Sequence, residues 1–296
     1  MTAGVRVLVL GADGQVGKEL CGALSCFAKV IAATEADFDM TRAAKLREAI
    51  DGATPDVIVN AAAYTDVDGA ERDKDRAMAV NADAVAILGR EVLRRRVGLI
   101  HYSTDFVFDG NKGSTYSEQD VPAPLNEYGR SKLVGERALS ELGAPAIVLR
   151  TAWVYSLTNK SFVSSILRLA RERELLRIVS DQVGNPTFSR DLACATALIL
   201  YGIRAAPFDA IQAAKGVYHL AGSGSCSRWE LACAAVALDP NRHEHRLKSI
   251  EPISTDQYPL PAIRPRSAPL DCSLVQSRFG ISLPDWKDSL RRALGA

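Results

Sequence analysis

The run Val5-Arg6-Val7-Leu8-Val9-Leu10 predicts a buried strand, and Lys18 to Leu24 a helix. Lys29 to Ala33 is a second candidate strand. Arg42 to Ile50 follows as a helix that Thr41 would cap, and Asp56-Val57-Ile58-Val59 as a third strand. One helix is expected from about Glu71 to Arg95, with Asn81 inside it. The strand from Val97 to Ser103-Thr104 comes next, and then Ala146 to Leu149. Strands joined by helical crossovers imply an α/β fold, a Rossmann-like doubly wound parallel sheet with ligands at the carboxyl ends of its strands.

The second half is less regular. Phe162 to Arg173 reads as a helix, Ile178-Val179-Ser180 leads into a loop over Asp181 to Thr187, and Asp191 to Tyr201 is apolar and helical. Val217 to Leu220 is a short strand, Ser227 a cap for the helix Arg228 to Leu238, and Ile263-Arg264-Pro265-Arg266 a basic loop. The expected division is a dinucleotide-binding domain over residues 1–155, with part of about 188–222 returning to it. Residues 156–296 would form mainly a smaller C-terminal substrate lobe.

Between the first strand and helix lies Gly11-Ala12-Asp13-Gly14-Gln15-Val16-Gly17. Glycines there allow a tight turn and let a pyrophosphate approach backbone N–H groups at the helix start. The spacing is G-x-x-G-x-x-G rather than G-x-G-x-x-G. Glu35, Asp37 and Asp39 follow the second strand, and any one of them reads equally as a ribose ligand or a solvated loop acid. Ala61-Ala62-Ala63 would let a flat ligand lie on the backbone, or serve close helix–sheet packing.

Tyr128 and Lys132 are four apart and share a helix face. A phenol ordinarily titrates near 10, and a nearby ammonium favours its phenolate. A hydroxyl at the strand end Ser103-Thr104 could bond the same substrate oxygen. Together these groups could protonate an alkoxide as a hydride reaches carbon. Tyr-x-x-x-Lys also occurs on ordinary exposed helices; the glycine turn upstream gives it weight.

Composition narrows the class. The chain has 296 residues and 36 basic against 35 acidic side chains, so its net charge is +1. This gives no reason to expect nucleic acid or an anionic membrane as partner. No apolar run is long enough for a transmembrane helix. Met1-Thr2-Ala3-Gly4-Val5 enters the first strand with no room for a signal peptide, so a cytoplasmic location is expected. Six scattered cysteines without C-x-x-C read as reduced, small buried apolar residues.

Longer strings carry a resemblance. Val59-Asn60-Ala61-Ala62-Ala63-Tyr64-Thr65, Tyr102 to Gly110, Tyr128 to Lys132, Arg150 to Tyr155 and Gln182 to Thr187 stand beside the Gly11–Gly17 turn. The chain resembles the dTDP-4-dehydrorhamnose reductases, a family of extended short-chain dehydrogenase/reductases, over nearly its whole length. The strings Ser-Thr-Asp-Phe-Val-Phe-Asp-Gly and Arg-Thr-Ala-Trp-Val-Tyr carry most of the specificity.

The resemblance implies reduction of a nucleotide-sugar C4 ketone by NADPH or NADH. Gly11, Gly14, Gln15, Val16 and Gly17 would touch the pyrophosphate, with Asp39 and Met40 near the adenosine. Ala63, Tyr64 and Thr65 would lie at the dinucleotide's middle and Tyr102 on the cofactor side. Thr104 and Asp105 would meet the sugar. Tyr128 would be the acid, and Lys132 would bind the nicotinamide ribose while tuning Tyr128. Trp153 would pack on the deoxysugar or sit in the core, and Arg264 would pair with the diphosphate or belong to a surface loop. Other nucleotide-sugar ketoreductases or epimerases, and a non-catalytic regulatory subunit like the methionine adenosyltransferase beta subunit, are the alternatives. Glu35 would repel a 2′-phosphate, whereas Lys18 or Arg42 could attract one. Two departures stand out: Ala268 replaces the serine of the family's Arg-Pro-x-x-Ser loop, and the tail from Trp286 to Arg292 has no glutamate. The magnesium bridge of some members is therefore not carried over, and a homodimer stays open.

Overall fold

The computed structural model describes residues 4–37 and 39–296. Met1, Thr2 and Ala3, on which the leader reading partly rests, lie outside the described residues, as does Phe38.

The first half alternates as its pattern predicts. It runs β1 (Arg6–Leu10), α1 (Gln15–Ser25), β2 (Lys29–Ala33), α2 (Ala43–Ala53) and β3 (Val57–Asn60). Then come α3 (Val67–Arg72), α4 (Lys74–Met78), α5 (Ala84–Arg95), β4 (Gly98–Thr104), α6 (Glu127–Glu141) and β5 (Ala146–Thr151). Val7 and Val9 of β1 face one apolar cluster, and Leu8 and Leu10 face another. Both faces of the strand are covered, which is why its sequence is nearly all apolar.

The remainder contains β6 (Val154–Tyr155), α7 (Phe162–Glu172), β7 (Leu175–Val179), β8 (Val183–Gly184), β9 (Thr187–Phe188), α8 (Ser189–Ile203), α9 (Pro207–Ala213) and β10 (Gly216–His219). β11 (Cys226–Ser227), α10 (Arg228–Leu238), β12 (Ser249–Ile253), α11 (Ser273–Phe279) and α12 (Trp286–Leu294) complete it. The main sheet is parallel, in the order β10-β5-β4-β3-β1-β2. β10 joins it beside β5, and α8 packs along α1. A separate cluster holds Val163 of α7, Leu231 and Ala235 of α10, and Trp286 and Leu290 of α12. Asp191 near the start of α8 ties this cluster to the sheet's helices: it accepts from Ser289 Oγ at 2.6 Å and Arg292 Nη2 at 2.9 Å.

Several local expectations change. The helix expected from Glu71 to Arg95 is broken, because Asp73 turns its carboxylate back to accept from Arg76 N at 3.2 Å and starts a new helix. A π-helical turn, Ala79–Asp83, then precedes α5. Thr41 does not cap α2. Its hydroxyl donates to Asp39 Oδ1 at 2.6 Å, and the helix begins after Arg42 without a side-chain cap. The loop over Asp181 to Thr187 contains the short strands β8 and part of β9. All six cysteines are free, but only Cys226 is buried, while Cys26 and Cys194 are exposed. No single helix among the described residues is long and apolar enough to cross a membrane; the adjoining apolar helices α8 and α9 meet at 108°.

Candidate active site

A cleft of about 1220 Å³ runs along the carboxyl ends of the sheet strands, from the Gly11–Gln15 turn to Trp153. The turn forms because Gly11 adopts a left-handed φ of 75° and its amide donates to Ala33 O at 2.9 Å. A Cβ on Gly11 would lie 2.7 Å from Ala62 N, so only glycine fits between β1 and β3. Gly14, Gln15 and Val16 border the cleft where α1 begins. Gly17 does not. Its missing Cβ would sit 2.0 Å from Gly11 O, so it packs the helix against the turn. The Gln15 Oε1, Ser103 Oγ and Thr151 Oγ1 atoms are buried without a partner, and all three residues border the cleft. Unpaired buried polar atoms around a glycine cradle at a helix start suit a dinucleotide with its pyrophosphate on α1.

Asp39, Met40, Ala63, Tyr64 and Thr65 also border the cleft. Met40 is buried, whereas Asp39 is exposed and binds Thr41. Glu35 meets Arg76 at 3.3 Å in the same region, and neither Lys18 nor Arg42 borders the cleft. Asn81 of the π-turn fills the inward place left open for it. Its Oδ1 accepts from Tyr64 N at 2.9 Å, and its Nδ2 donates to Tyr64 O and Ser131 Oγ, both at 3.0 Å. The cofactor-side loop is thereby tied to α6.

Helix α6 starts at Asn126, whose Oδ1 accepts from Gly129 N at 2.8 Å and whose Nδ2 donates to Ile263 O at 2.7 Å. This cap sets Tyr128 on the first turn, beside the Thr104–Phe106 turn that ends β4. Thr104 Oγ1 donates to Asp105 Oδ1 at 3.1 Å. Burial raises the Tyr128 phenol to about 12, against the favourable effect of the Thr104 hydroxyl. This reverses the expected sign of the tyrosine shift. The Lys132 ammonium donates to Tyr102 O at 2.6 Å and lies 3.4 Å from His101 Nε2, so desolvation of the phenol prevails. Burial likewise lowers Lys132 to about 8 and raises Asp105 to about 7. His101 is held well below its ordinary value by burial and then by Lys132, and is neutral. Tyr102 presents only its backbone on the Lys132 side, since its phenol bonds Thr196 Oγ1 at 2.6 Å in the core.

Trp153 borders the cleft in a left-handed conformation, φ 44°. The Arg228 guanidinium lies over its ring, 3.6 Å from the ring centre, and the indole is half-buried in the cleft wall. Gly184 abuts the indole, where a Cβ would come within 2.6 Å of Nε1. Arg264 also reaches the cleft, but it clasps Asp68 with both terminal nitrogens, at 3.0 and 2.8 Å. Ala268 is buried in an apolar cluster with Val107, Phe108 and Tyr116, so the missing hydroxyl leaves no polar gap. Arg228 and the loop residues Asn159 and Lys160 border the cleft unforeseen. The one local signal for Arg228 is its place directly after the Ser227 cap.

The family model described as "RmlD substrate binding domain" matches residues 5–296. The chain belongs to this family. The dTDP-4-dehydrorhamnose reductase of Burkholderia thailandensis is 43% identical over 289 residues, 96% of each chain. That of Escherichia coli K12 is 37% identical over 297 residues, 98% of this chain and 97% of the other. Among solved structures, the Bacillus anthracis dTDP-4-dehydrorhamnose reductase in complex with NADP has a TM-score of 0.86 and 30% identity, covering 98% of both chains. The family's fold is therefore the α/β Rossmann-like one described above.

Proposed function

We propose that the chain reduces the C4 ketone of dTDP-4-dehydro-L-rhamnose to dTDP-L-rhamnose, using NADPH or NADH. One observation carries the reading: the Thr104 hydroxyl and the Tyr128 phenol stand together at one end of a cleft whose other end is the Gly11–Gln15 cradle. A dinucleotide held on the Gly11–Gln15 cradle would supply hydride to the carbonyl carbon. Thr104 and Tyr128 hold the carbonyl oxygen, and the phenolic proton passes to it as the C–O double bond becomes an alcohol. A phenol held near 12 keeps that proton throughout the neutral range. Lys132 anchors the nicotinamide ribose and offsets the phenolate left behind. The close family relatives named for this reaction support the substrate assignment.

Residues 1–155, with α8, α9 and β10 returning, serve the dinucleotide in this reading, and residues 156–296 mainly serve the sugar. The pairing of β10 with β5 supports that division. Six free cysteines and a reduced nicotinamide suit a reducing cytoplasm. A purely regulatory role is not favoured, because Thr104, Tyr128 and Lys132 all stand in one cleft. Product identification after incubation with a panel of nucleotide-linked 4-ketosugars and each reduced cofactor tests the reading. Formation of dTDP-L-rhamnose is expected; turnover only of another ketosugar, or of none, overturns it.

A further inference from the structure

Two arginines reach the sugar end of the cleft, and they are in opposite states. Arg264 has committed three of its five N–H donors within the protein. Nη1 and Nη2 hold Asp68 at 3.0 and 2.8 Å, and Nη1 also donates to Ala262 O at 2.9 Å. Asp68 completes the clasp by accepting from Ala262 N at 3.1 Å. This is a closed loop tether between α3 and the 262–264 segment.

The Arg228 side chain forms no hydrogen bond or ion pair among the described residues, although its backbone N–H donates to Gln182 O at 3.2 Å; the charges of Asp105 and Arg264 act on it at longer range. It opens α10, where Ser227 and Glu230 form a capping box that fixes the first turn. Its guanidinium carbon lies 3.6 Å from the Trp153 ring centre and 5.0 Å from that of Phe162. Trp153 in turn is seated against Gly184. A planar cation with a rigid aromatic backing keeps its N–H donors at its rim, already oriented. Arg228 is half-buried and borders the cleft, so its unbonded N–H groups are open to an arriving anion.

We propose that Arg228 grips the diphosphate of the nucleotide-sugar substrate at its sugar-linked phosphate, and that Arg264 is a tether rather than a ligand. The inference rests on the function proposed above. Arg228 shares the Trp153 and Asp105 end of the cleft, where the sugar must lie for its carbonyl to meet Thr104 and Tyr128. The sugar-linked phosphate is one ester oxygen from that ring, so a cation at this end can reach it. Two terminal N–H groups suit two phosphate oxygens.

The test uses the full chain and calorimetric binding of dTDP, dTDP-L-rhamnose and NADP⁺. Arg228→Gln should raise the Kd of both thymidine nucleotides by about 10- to 100-fold, the span of lost charge-assisted hydrogen bonds, with NADP⁺ affinity within about twofold. Arg228→Lys, which retains the charge without the fork, should fall between. Arg264→Gln should change dTDP affinity by less than about threefold, and the Arg228→Gln effect should persist in an Asp105→Asn background. Unchanged dTDP affinity in folded Arg228→Gln or Arg228→Lys overturns the proposal, as does a larger loss in Arg264→Gln. An effect that vanishes with Asp105→Asn would mean that Arg228 acts through Asp105 and not on phosphate. Failure of the proposed function reads out separately, as no turnover of the ketosugar by the wild-type chain.

Discussion

Gly129 lies so close to Phe106 that a Cβ on it would stand 2.2 Å from the Phe106 carbonyl oxygen. Gly129, directly after Tyr128, is thus the point at which α6 touches the turn carrying Thr104 and Asp105. The contact is with backbone, which cannot rotate aside. Gly129→Ala should push the helix start away, lowering kcat by about 10-fold or more and stability by about 1–3 kcal/mol, as overpacking does. Gly22→Ala on α1 is the contrast: its Cβ would meet nothing within 4 Å, so it should be neutral or gain up to about 1 kcal/mol in helix propensity. Steady-state kinetics and urea unfolding of the two variants check this.

Tyr128→Phe should lower kcat by about 100-fold or more, the usual span for losing a general acid. The ring and its edge contact with Phe106, centroids 5.7 Å apart, remain, so cofactor affinity should barely move. Lys132→Ala should harm turnover and cofactor binding together. Kinetics paired with fluorescence titration of the reduced cofactor separate the two. Near-wild-type turnover in Tyr128→Phe would remove Tyr128 from the reaction.

The pH dependence of reduction should carry one alkaline limb. Tyr128, near 12, stays a proton donor across the working range, whereas Lys132 titrates at about 8. The charged ammonium is the active form, so kcat/KM should fall as pH rises through about 8. Lys132→Arg should lose that limb, since a guanidinium does not deprotonate there. A profile unchanged in Lys132→Arg would assign the limb elsewhere.

Asp105 should make the fold less stable as pH rises. Its folded-state value is raised to about 7, above the ordinary 3.8, by burial. Below the lower value both states hold the proton and the group has no effect. Between the two only the unfolded chain ionises, so stability falls with pH until about 7 and then levels. Asp105→Asn should abolish that slope. Thermal melts at pH 5 and 8 should therefore lie closer together in the variant, and an equal spacing would contradict the assignment.

Much of the fold was legible because it is local. The apolar run of β1, the glycine turn and the start of α1 adjoin in sequence, and the four-residue spacing of Tyr128 and Lys132 puts both on one helix face. The helical break at Asp73 was less visible, because a side chain returning to the backbone competes with a helix that the apolar pattern alone would continue.

The sequence by itself determined the strand–helix alternation of the sheet and the glycine turn, and marked Thr104, Tyr128 and Lys132 as candidates, since each of these features is carried by a short local string. Only the tertiary structure decided the partners: that Arg264 closes on Asp68, that Asn81 joins Tyr64 to Ser131, and that Arg228 lies on Trp153. It also decided the sign of the Tyr128 shift, because burial outweighs a lysine whose ammonium points at the Tyr102 carbonyl. A side chain's spacing along the chain says which face it occupies. What that face meets, and how much water remains there, is settled by elements that may lie more than a hundred residues away, as Asp68 does from Arg264.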